Sequence, residues 1–295
     1  MAYDPNATYE VRVSDVEYLR HGDVPLLARV YQPLGDGPFP ALIDVHGGQW
    51  SAGTRENNVR MDRDLAASGV VVASLDFRLA PDHPYPAQLQ DINHAVRWFK
   101  AHAGDHRVDP ATIGGIGTSS GGHGIVLTAM RPRDPRYAAL PLPGGAGLDA
   151  SLAYVVSCWG IVDPYARLQF ALADPNAGEG RGGPERLQRS TLGYFLTEEA
   201  MLEGNPQRIL DRAEPVSLPP LLVVQGDQDK NIPYTIPERF AEAWRTAGGH
   251  GEFRLFPGVP HNFANEDGPQ TDAALRVIRE FIAGQMVEPV ATVAG

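Results

Sequence analysis

A short segment rich in glycine and serine, residues 114–123, carries the most specific chemical signal in this sequence. Its pattern Gly-x-Ser-x-Gly at 117–121 is typical of a strand that turns sharply into a helix and holds one serine at the apex. Glycines are needed there because strand and helix nearly collide on either side of the serine. We therefore predict that Ser119 is a nucleophile. Ser120 is the alternative at the apex, but the smaller flanking pair favours Ser119.

A serine hydroxyl becomes an effective nucleophile when a histidine takes its proton and a carboxylate orients that histidine. Two acids, Asp227 and Asp229, follow a strand predicted at 220–224, and His261 follows the next predicted strand. Asp229 comes 110 residues after Ser119, which leaves room for an inserted segment between the serine and the acid. These positions predict a Ser–His–Asp arrangement, and the residue types alone leave both aspartates open as its acid.

Ester or amide hydrolysis by such a serine also requires N–H donors for a developing oxyanion. The segment His46-Gly47-Gly48 follows directly on a buried strand predicted at 41–45. Its glycines let the main chain approach a substrate closely, whereas His46 is predicted to shape the loop rather than to react. The backbone N–H of Ser120 is the expected partner donor on the other side of the substrate.

Strand and helix patterns alternate along most of the chain. This alternation predicts an α/β fold with a mostly parallel central sheet and helices on both faces. A hairpin turning at 21–23 is expected first. Further strands are predicted at 41–45, 70–75, 152–158, 220–224 and 252–256, and helices at 56–68, 88–102, 125–130, 237–247 and 271–284.

One long stretch, residues 163–215, contains helical patterns near 165–172 and 198–202 but no strand. Because it falls between two predicted core strands, we interpret it as a helical cap inserted into the fold. The core is then formed by residues 1–162 and 216–285, with a surface loop at 132–150. The last ten residues, 286–295, lack a helical pattern or bulky side chains and are expected to be a loose C-terminal tail.

Composition narrows the class of protein. The 295 residues are 43% hydrophobic and 21% charged, with a formal net charge of −11, which argues against nucleic acid and anionic membrane surfaces as partners. The single cysteine, Cys158, cannot form an intrachain disulfide. The first residues lack a signal-peptide pattern, and no apolar run approaches the ~20 residues of a membrane span. The expectation is a cytoplasmic protein without cofactor or metal, since the histidines lack metal-ligand spacing.

Five motifs together resemble the α/β-hydrolase esterases of the hormone-sensitive-lipase and acetyl-esterase group, whose relatives include kynurenine formamidase and feruloyl-esterase-like enzymes. The resemblance covers about residues 25–285, and the motifs are His46-Gly47-Gly48, Asp76-Phe77-Arg78-Leu79-Ala80-Pro81, the segment at 117–121, Gly226-x-x-Asp229-x-x-Ile232-Pro233 and His261-x-Phe263.

This resemblance implies a triad of Ser119, Asp229 and His261. It also implies that the oxyanion is held by the backbone N–H groups of Gly47, Gly48 and Ser120. Gln49 stands where lipase-like members carry a third glycine, and this variant is closer to the formamidase and feruloyl-esterase-like branch. Ser120 replaces the more common alanine.

The predicted function is a serine carboxylesterase that hydrolyses small to moderately sized soluble esters through an acyl-enzyme. Two alternatives stay open: an amidase or formamidase of the same fold, and a non-catalytic protein that binds a small molecule. A homodimer is also open. The residues predicted to line the acyl or alcohol pocket are aromatic: Trp50, Trp159, Phe170, Tyr194 and Phe195.

Overall fold

A single eight-stranded sheet organises residues 3–286, which are the residues that the computed structural model describes. The strands are β1 (Val11–His21), β2 (Val24–Pro33), β3 (Phe39–Val45), β4 (Val71–Leu75), β5 (Val108–Thr118), β6 (Val155–Cys158), β7 (Leu221–Gly226) and β8 (Gly251–Phe256). The α-helices are α1 (Val59–Ala67), α2 (Ala87–Ala101), α3 (Ser120–Met130), α4 (Pro164–Ala173), α5 (Gly183–Phe195), α6 (Glu198–Glu203), α7 (Pro206–Asp211), α8 (Thr235–Thr246) and α9 (Pro269–Gln285).

The strand order is β1-β2-β4-β3-β5-β6-β7-β8. Strands β3 to β8 run parallel, whereas β2 is antiparallel to both β1 and β4. The predicted hairpin and the predicted mostly parallel sheet are thus confirmed. Because the parallel strands all end at one edge, the loops after β3, β5, β7 and β8 are brought together there.

Helices cover both faces of this sheet. Along β3, Ala41 and Ile43 pack into a layer with α2, α3 and α8, whereas Leu42 points to the opposite layer with α1 and α9. All seven residues of β3 are buried. Burial on both faces explains why every residue of this strand except Asp44 is apolar, without the alternation of polar and apolar residues that one exposed face would give.

The largest difference from the predicted elements lies between β6 and β7. The helices predicted near 165–172 and 198–202 are confirmed as α4 and α6, but α5 and α7 were not predicted. Helix α5 begins in a glycine-rich run, and its buried face consists only of Leu187, Thr191, Tyr194 and Phe195. Glycine at the start and a short buried face conceal the helix from its residue pattern.

Other predicted features have simpler outcomes. The predicted loop at 132–150 contains neither helix nor strand. Strand β5 extends from Val108 across Pro110, well before its predicted start near 112. Of the predicted tail at 286–295, residues 287–295 lie outside the described residues. Within residues 3–286, no helix combines the length and the apolar character that a membrane crossing requires.

Candidate active site

Ser119 lies at the junction of β5 and α3, in a backbone conformation that is rare for residues other than glycine. Its φ and ψ are 52° and −119°. The junction is tight, because a Cβ on Gly121 would lie 1.9 Å from the carbonyl oxygen of Val45. The Ser119 Oγ is 3.0 Å from His261 Nε2. The Ser120 hydroxyl instead faces the loop after β3, residues 46–50, which we call the oxyanion loop. There it accepts a hydrogen bond from the backbone N–H of Trp50 at 3.1 Å.

His261 follows β8 and faces Asp229, which follows β7. Its Nδ1 is 2.7 Å from Asp229 Oδ2, and the exposed fractions of the two side chains are 4% and 0%. Asp227 lies elsewhere, because its Oδ1 accepts a hydrogen bond from the backbone N–H of Gly258 at 2.7 Å. Of the two aspartates in this turn, only Asp229 contacts the histidine.

The Asp229 carboxylate is surrounded by donors. The backbone N–H groups of Asn231 and Ile232 donate to Oδ1 at 2.7 and 2.9 Å, and Gln225 Nε2 donates to Oδ2 at 2.9 Å. Burial would raise the pKa of Asp229, but His261 and these hydrogen bonds outweigh it and hold the pKa below its ordinary value. The carboxylate is therefore ionised and fixed, and it favours the tautomer of His261 in which Nδ1 carries the hydrogen.

The predicted oxyanion donors require one correction. The backbone N–H of Gly47 donates to Thr118 Oγ1 at 2.9 Å, so it is engaged and does not face a substrate. Among residues 3–286, the backbone N–H groups of Gly48, Gln49 and Ser120 have no protein acceptor. The Gly47 N–H is therefore occupied, whereas those of Gly48, Gln49 and Ser120 are not bound by a described residue.

The loop that carries these donors is held in an unusual conformation. Gly48, Gln49 and Trp50 have φ values of 123°, 56° and 61°, and a Cβ at Gly48 would lie 1.9 Å from the Ala52 carbonyl oxygen. His46, before them, donates from Nδ1 to the Gly47 carbonyl oxygen at 2.6 Å. Gly48 and Gln49 line the same cavity as Ser119, whereas the Trp50 N–H is bound to Ser120 Oγ.

Two buried histidines support the same loop. His46 stacks on Phe77 with ring centroids 4.2 Å apart, and burial lowers its pKa to about 4. His123 accepts a hydrogen bond from Trp50 Nε1 at 3.2 Å, and its Nε2 lies 2.8 Å from the Gly204 carbonyl oxygen. Burial also lowers the pKa of His123 to about 4, so both rings are neutral near pH 7. The prediction that His46 shapes the loop is confirmed.

A cavity of about 300 Å³ lies above Ser119, and we call it the serine cavity. Most of its wall is polar; it is lined by Gly47, Gly48, Gln49, Asn57, Asn58, Thr118, Ser119, Gly180, Arg181, Arg186, Asn231, His261, Asn262 and Asn265. None of the five aromatic residues predicted to form the acyl or alcohol pocket belongs to this lining.

These aromatic residues pack against one another or against the core. Trp50 stacks on Tyr194 with centroids 4.8 Å apart and meets Phe195 edge-on, and all three are buried. Trp159 packs against Phe263. Phe170 is half-buried against Leu187 and two neighbouring alanines. Aromatic rings bury more apolar area than most side chains, which favours core positions over a polar cavity wall.

Several residues of the α4–α7 segment reach the site without any signal in the sequence. Arg181 donates to the carbonyl oxygen of His261 at 3.0 Å. Arg167, fully buried in α4, donates to Asn231 Oδ1 at 2.7 and 3.1 Å and to Thr191 Oγ1 at 3.0 Å. Burial lowers the pKa of Arg167 to about 10, and it stays charged at neutral pH. The segment is thus tied to the turn that carries Asp229.

Solved structures share this architecture. A hyperthermophilic esterase from Pyrobaculum calidifontis superposes with a TM-score of 0.75 at 24% identity, over 95% of this chain and 85% of that one. The Thermogutta terrifontis esterase 2 phosphoramylated by tabun gives 0.73 at 24% identity, over 92% and 94%. These similarities confirm the predicted α/β-hydrolase fold.

Relatives by sequence carry esterase names. LipC, an esterase of Mycobacterium tuberculosis, is 30% identical over 83% of this chain. LipM, a probable carboxylic ester hydrolase of the same organism, is 27% identical over 71%. The chain spans 58% and 46% of the length of these two relatives.

The sequence profile of one family, BD-FAE, matches residues 29–244. This range is well over half of the chain and includes Ser119, the oxyanion loop and Asp229, whereas His261 lies beyond it. By this match, the chain belongs to the BD-FAE family.

Proposed function

We propose that this protein is a serine carboxylesterase that works through an acyl-enzyme. One observation carries the proposal: Ser119 Oγ, the His261 ring and the Asp229 carboxylate form a continuous chain with separations of 3.0 and 2.7 Å. This chain ends in the serine cavity, beside backbone N–H groups that have no acceptor among residues 3–286. A protein that only binds a ligand needs none of these three groups in that geometry.

The proposed reaction has two halves. His261 Nε2 takes the proton of Ser119 as its Oγ attacks the ester carbonyl, and the N–H groups of Gly48, Gln49 and Ser120 hold the resulting oxyanion. His261 then gives that proton to the departing alkoxide, which leaves as the alcohol. Water, deprotonated by the same histidine, attacks the acyl-enzyme and releases the carboxylic acid with Ser119 restored.

We propose that residues 163–215 act as a cap on a core formed by residues 1–162 and 216–285. Helices α4–α7 lie within this range, and its residues Gly180, Arg181 and Arg186 close one side of the serine cavity. A volume of about 300 Å³ with a mostly polar wall suits small or moderately sized soluble esters better than long lipid chains.

The test is a series of p-nitrophenyl esters from acetate to palmitate, together with formanilide. We expect kcat/KM to be highest for a short acyl chain and formanilide to be cleaved more slowly than the esters. Ser119→Ala should lower kcat by roughly 10⁶-fold, since removal of a nucleophilic serine alone abolishes most triad catalysis.

Ser120→Ala is the matched control, because it keeps the backbone N–H and changes only a neighbouring hydroxyl. Its activity should stay within about tenfold of the unmodified protein, since one hydrogen bond to the Trp50 N–H is lost.

No ester hydrolysis would favour a binding protein, and a preference for formanilide would favour the amidase alternative. A cytoplasmic location and a homodimer stay predictions; size-exclusion chromatography measures the second.

A further inference from the structure

Three arginines surround the entrance to the serine cavity although the protein as a whole is acidic. The formal net charge is −11, yet Arg181 and Arg186 line the serine cavity and Arg189 lies one helical turn beyond. Within residues 3–286, the guanidinium contacts of Arg181 and Arg186 are to backbone carbonyl oxygens, and none of the three arginines pairs with a carboxylate. Local positive charge is therefore not neutralised at this entrance.

Helix α5 fixes two of these arginines on one surface. Arg186, Arg189, Ser190 and Gly193 are spaced three and four residues apart and so lie on the same face. The opposite face is buried through Leu187 and its neighbours. A helix anchored on one side presents the other side at a fixed distance from what it covers.

That face of α5 forms one wall of a second cavity, of about 430 Å³, which we call the arginine cavity. Its other walls include Ser51, Ala80 and Pro81. Gln49 and Arg186 line both the arginine cavity and the serine cavity. The two cavities therefore meet beside the proposed oxyanion donors.

Gln49 lies at this junction, because it lines both cavities. Only 6% of the residue is exposed, so its side chain bounds the passage between them. A ligand that extends from one cavity into the other passes this side chain.

We propose that the arginine cavity binds the carboxylate of an anionic ester whose reacting carbonyl lies at Ser119. This inference rests on the proposed esterase function and specifies its substrate class. Guanidinium groups bind carboxylates through charge-assisted hydrogen bonds with a planar fork that matches the two oxygens. The neutral part of such an ester passes Gln49, and its charged end lies between Arg186 and Arg189.

Two pairs of esters test the proposal and tell which part of the substrate carries the charge. For the acyl side, p-nitrophenyl hydrogen adipate is compared with p-nitrophenyl methyl adipate. For the alcohol side, 4-acetoxybenzoate is compared with methyl 4-acetoxybenzoate. The measured quantity is the ratio of kcat/KM for the anionic ester to that for its neutral partner, after subtraction of spontaneous hydrolysis.

This ratio is compared among the unmodified protein, Arg186→Gln/Arg189→Gln and the control Arg133→Gln/Arg254→Gln. The control also removes two positive charges, but from arginines whose side chains are 83% and 54% exposed and paired with Asp149 and Glu252. We expect the ratio to fall roughly tenfold or more in the first variant for at least one ester pair, and to change less than twofold in the control. Because intrinsic ester reactivity is the same for every variant, it cancels in this comparison.

Added salt gives an independent readout. Raising NaCl from 50 to 500 mM should lower the ratio in the unmodified protein, because salt screens the attraction between the anionic ester and the two arginines. The ratio should not fall in Arg186→Gln/Arg189→Gln, which lacks that attraction. An unchanged ratio in both ester pairs would overturn the inference while neutral-ester hydrolysis still supports the proposed function. Absence of hydrolysis of all four esters would overturn both.

Discussion

Asp229 and Asp62 are both buried aspartates, but the groups around their carboxyl oxygens differ. Asp229 accepts hydrogen bonds from three donors besides the contact with His261. Both oxygens of Asp62, on α1, are buried without a partner among residues 3–286. Burial and the charge of the neighbouring Asp44 raise the pKa of Asp62 well above its ordinary value, whereas that of Asp229 is lowered.

Asp44 explains why Asp62 holds the proton of this pair. Asn58 Nδ2 donates to both oxygens of Asp44 at 2.9 and 3.0 Å, and Ser74 Oγ donates to Oδ2 at 2.7 Å. Burial nevertheless raises the pKa of Asp44 to about 6. Two carboxylates without a cation between them cannot both ionise cheaply, and the one without donors stays neutral.

The comparison shows that burial alone does not set the charge of a carboxyl group in this protein. Beside His261 the pKa of Asp229 is lowered, whereas that of Asp44 is raised although it also accepts three hydrogen bonds. It also separates two tasks. At Asp229 an ionised carboxylate orients the ring of His261. At Asp44 the carboxylate begins a hydrogen-bond chain that runs through Asn58 and Thr118 and ends at the backbone N–H of Gly47.

The largest expected effect is a loss of activity when Asp229, but not Asp62, is replaced by asparagine. Asp229→Asn should lower kcat roughly 10⁴-fold, because an asparagine at this position favours the wrong tautomer of His261. Asp62→Asn should stay within a few-fold, since that carboxyl group is already neutral. Steady-state kinetics on p-nitrophenyl acetate measures both.

Asp227→Asn is the control for the acid, because Asp227 lies in the same turn and, within residues 3–286, its carboxylate accepts a hydrogen bond from the Gly258 N–H alone. Its kcat should change less than about tenfold, as expected when one hydrogen bond outside the site is weakened. A larger defect at Asp227 than at Asp229 would contradict the assignment of the acid.

Much of the region around Ser119 follows from sequence because its residues come directly after strands. Parallel strands bring their carboxyl ends together, so Ser119, Asp229 and His261 must meet once the strand order is known. The resemblance selected Asp229 over Asp227, which the residues alone had left open. The sheet was predictable because β3 and β7 are short, mostly apolar runs, each with one polar residue near its end.

The errors lie where backbone direction or tertiary packing decides the outcome. The Gly47 N–H was expected to face a substrate but donates to Thr118 Oγ1 instead, because backbone angles that the residue types do not specify decide which N–H groups are occupied. Trp50 and Tyr194 are aromatic whether they line a cavity or stack on each other. Helix α5 was not predicted, although its residues Arg186 and Arg189 line the arginine cavity.

The next prediction tests the hydrogen-bond chain that joins Asp44 to the backbone N–H of Gly47. Thr118→Val keeps the shape of the side chain but removes the acceptor of the Gly47 N–H and the donor to Asn58 Oδ1. Loss of one buried hydrogen bond costs about 1–3 kcal/mol, part of which should appear as a misplaced oxyanion loop. We expect kcat to fall about tenfold with KM within twofold.

Thr128→Val is the matched control, because Thr128 is also buried and its hydroxyl donates to the Gly124 carbonyl oxygen within α3. It should lower the free energy of unfolding without lowering kcat. Equal losses of kcat in both variants would mean that Thr118 acts only through general stability.

The smallest effect concerns the stability of the neutral pair and its dependence on pH. The pKa of Asp44 rises from 3.8 to about 6, and that of Asp62 rises further from the same value. The folded protein therefore binds more protons than the unfolded chain above about pH 4, and the contribution of this pair to stability is lost as pH rises through about 6.

Asp62→Asn removes one of the two titrating groups, so the variant should gain stability over the unmodified protein as pH rises from 4.5 to 8. The gain at pH 8 should exceed the gain at pH 4.5, and urea unfolding at both pH values measures it. Asp44→Asn should instead destabilise at both pH values, because its amide NH₂ would face the donors Asn58 Nδ2 and Ser74 Oγ. A gain that does not grow with pH, or stabilisation by Asp44→Asn, would mean that the proton does not reside on Asp62.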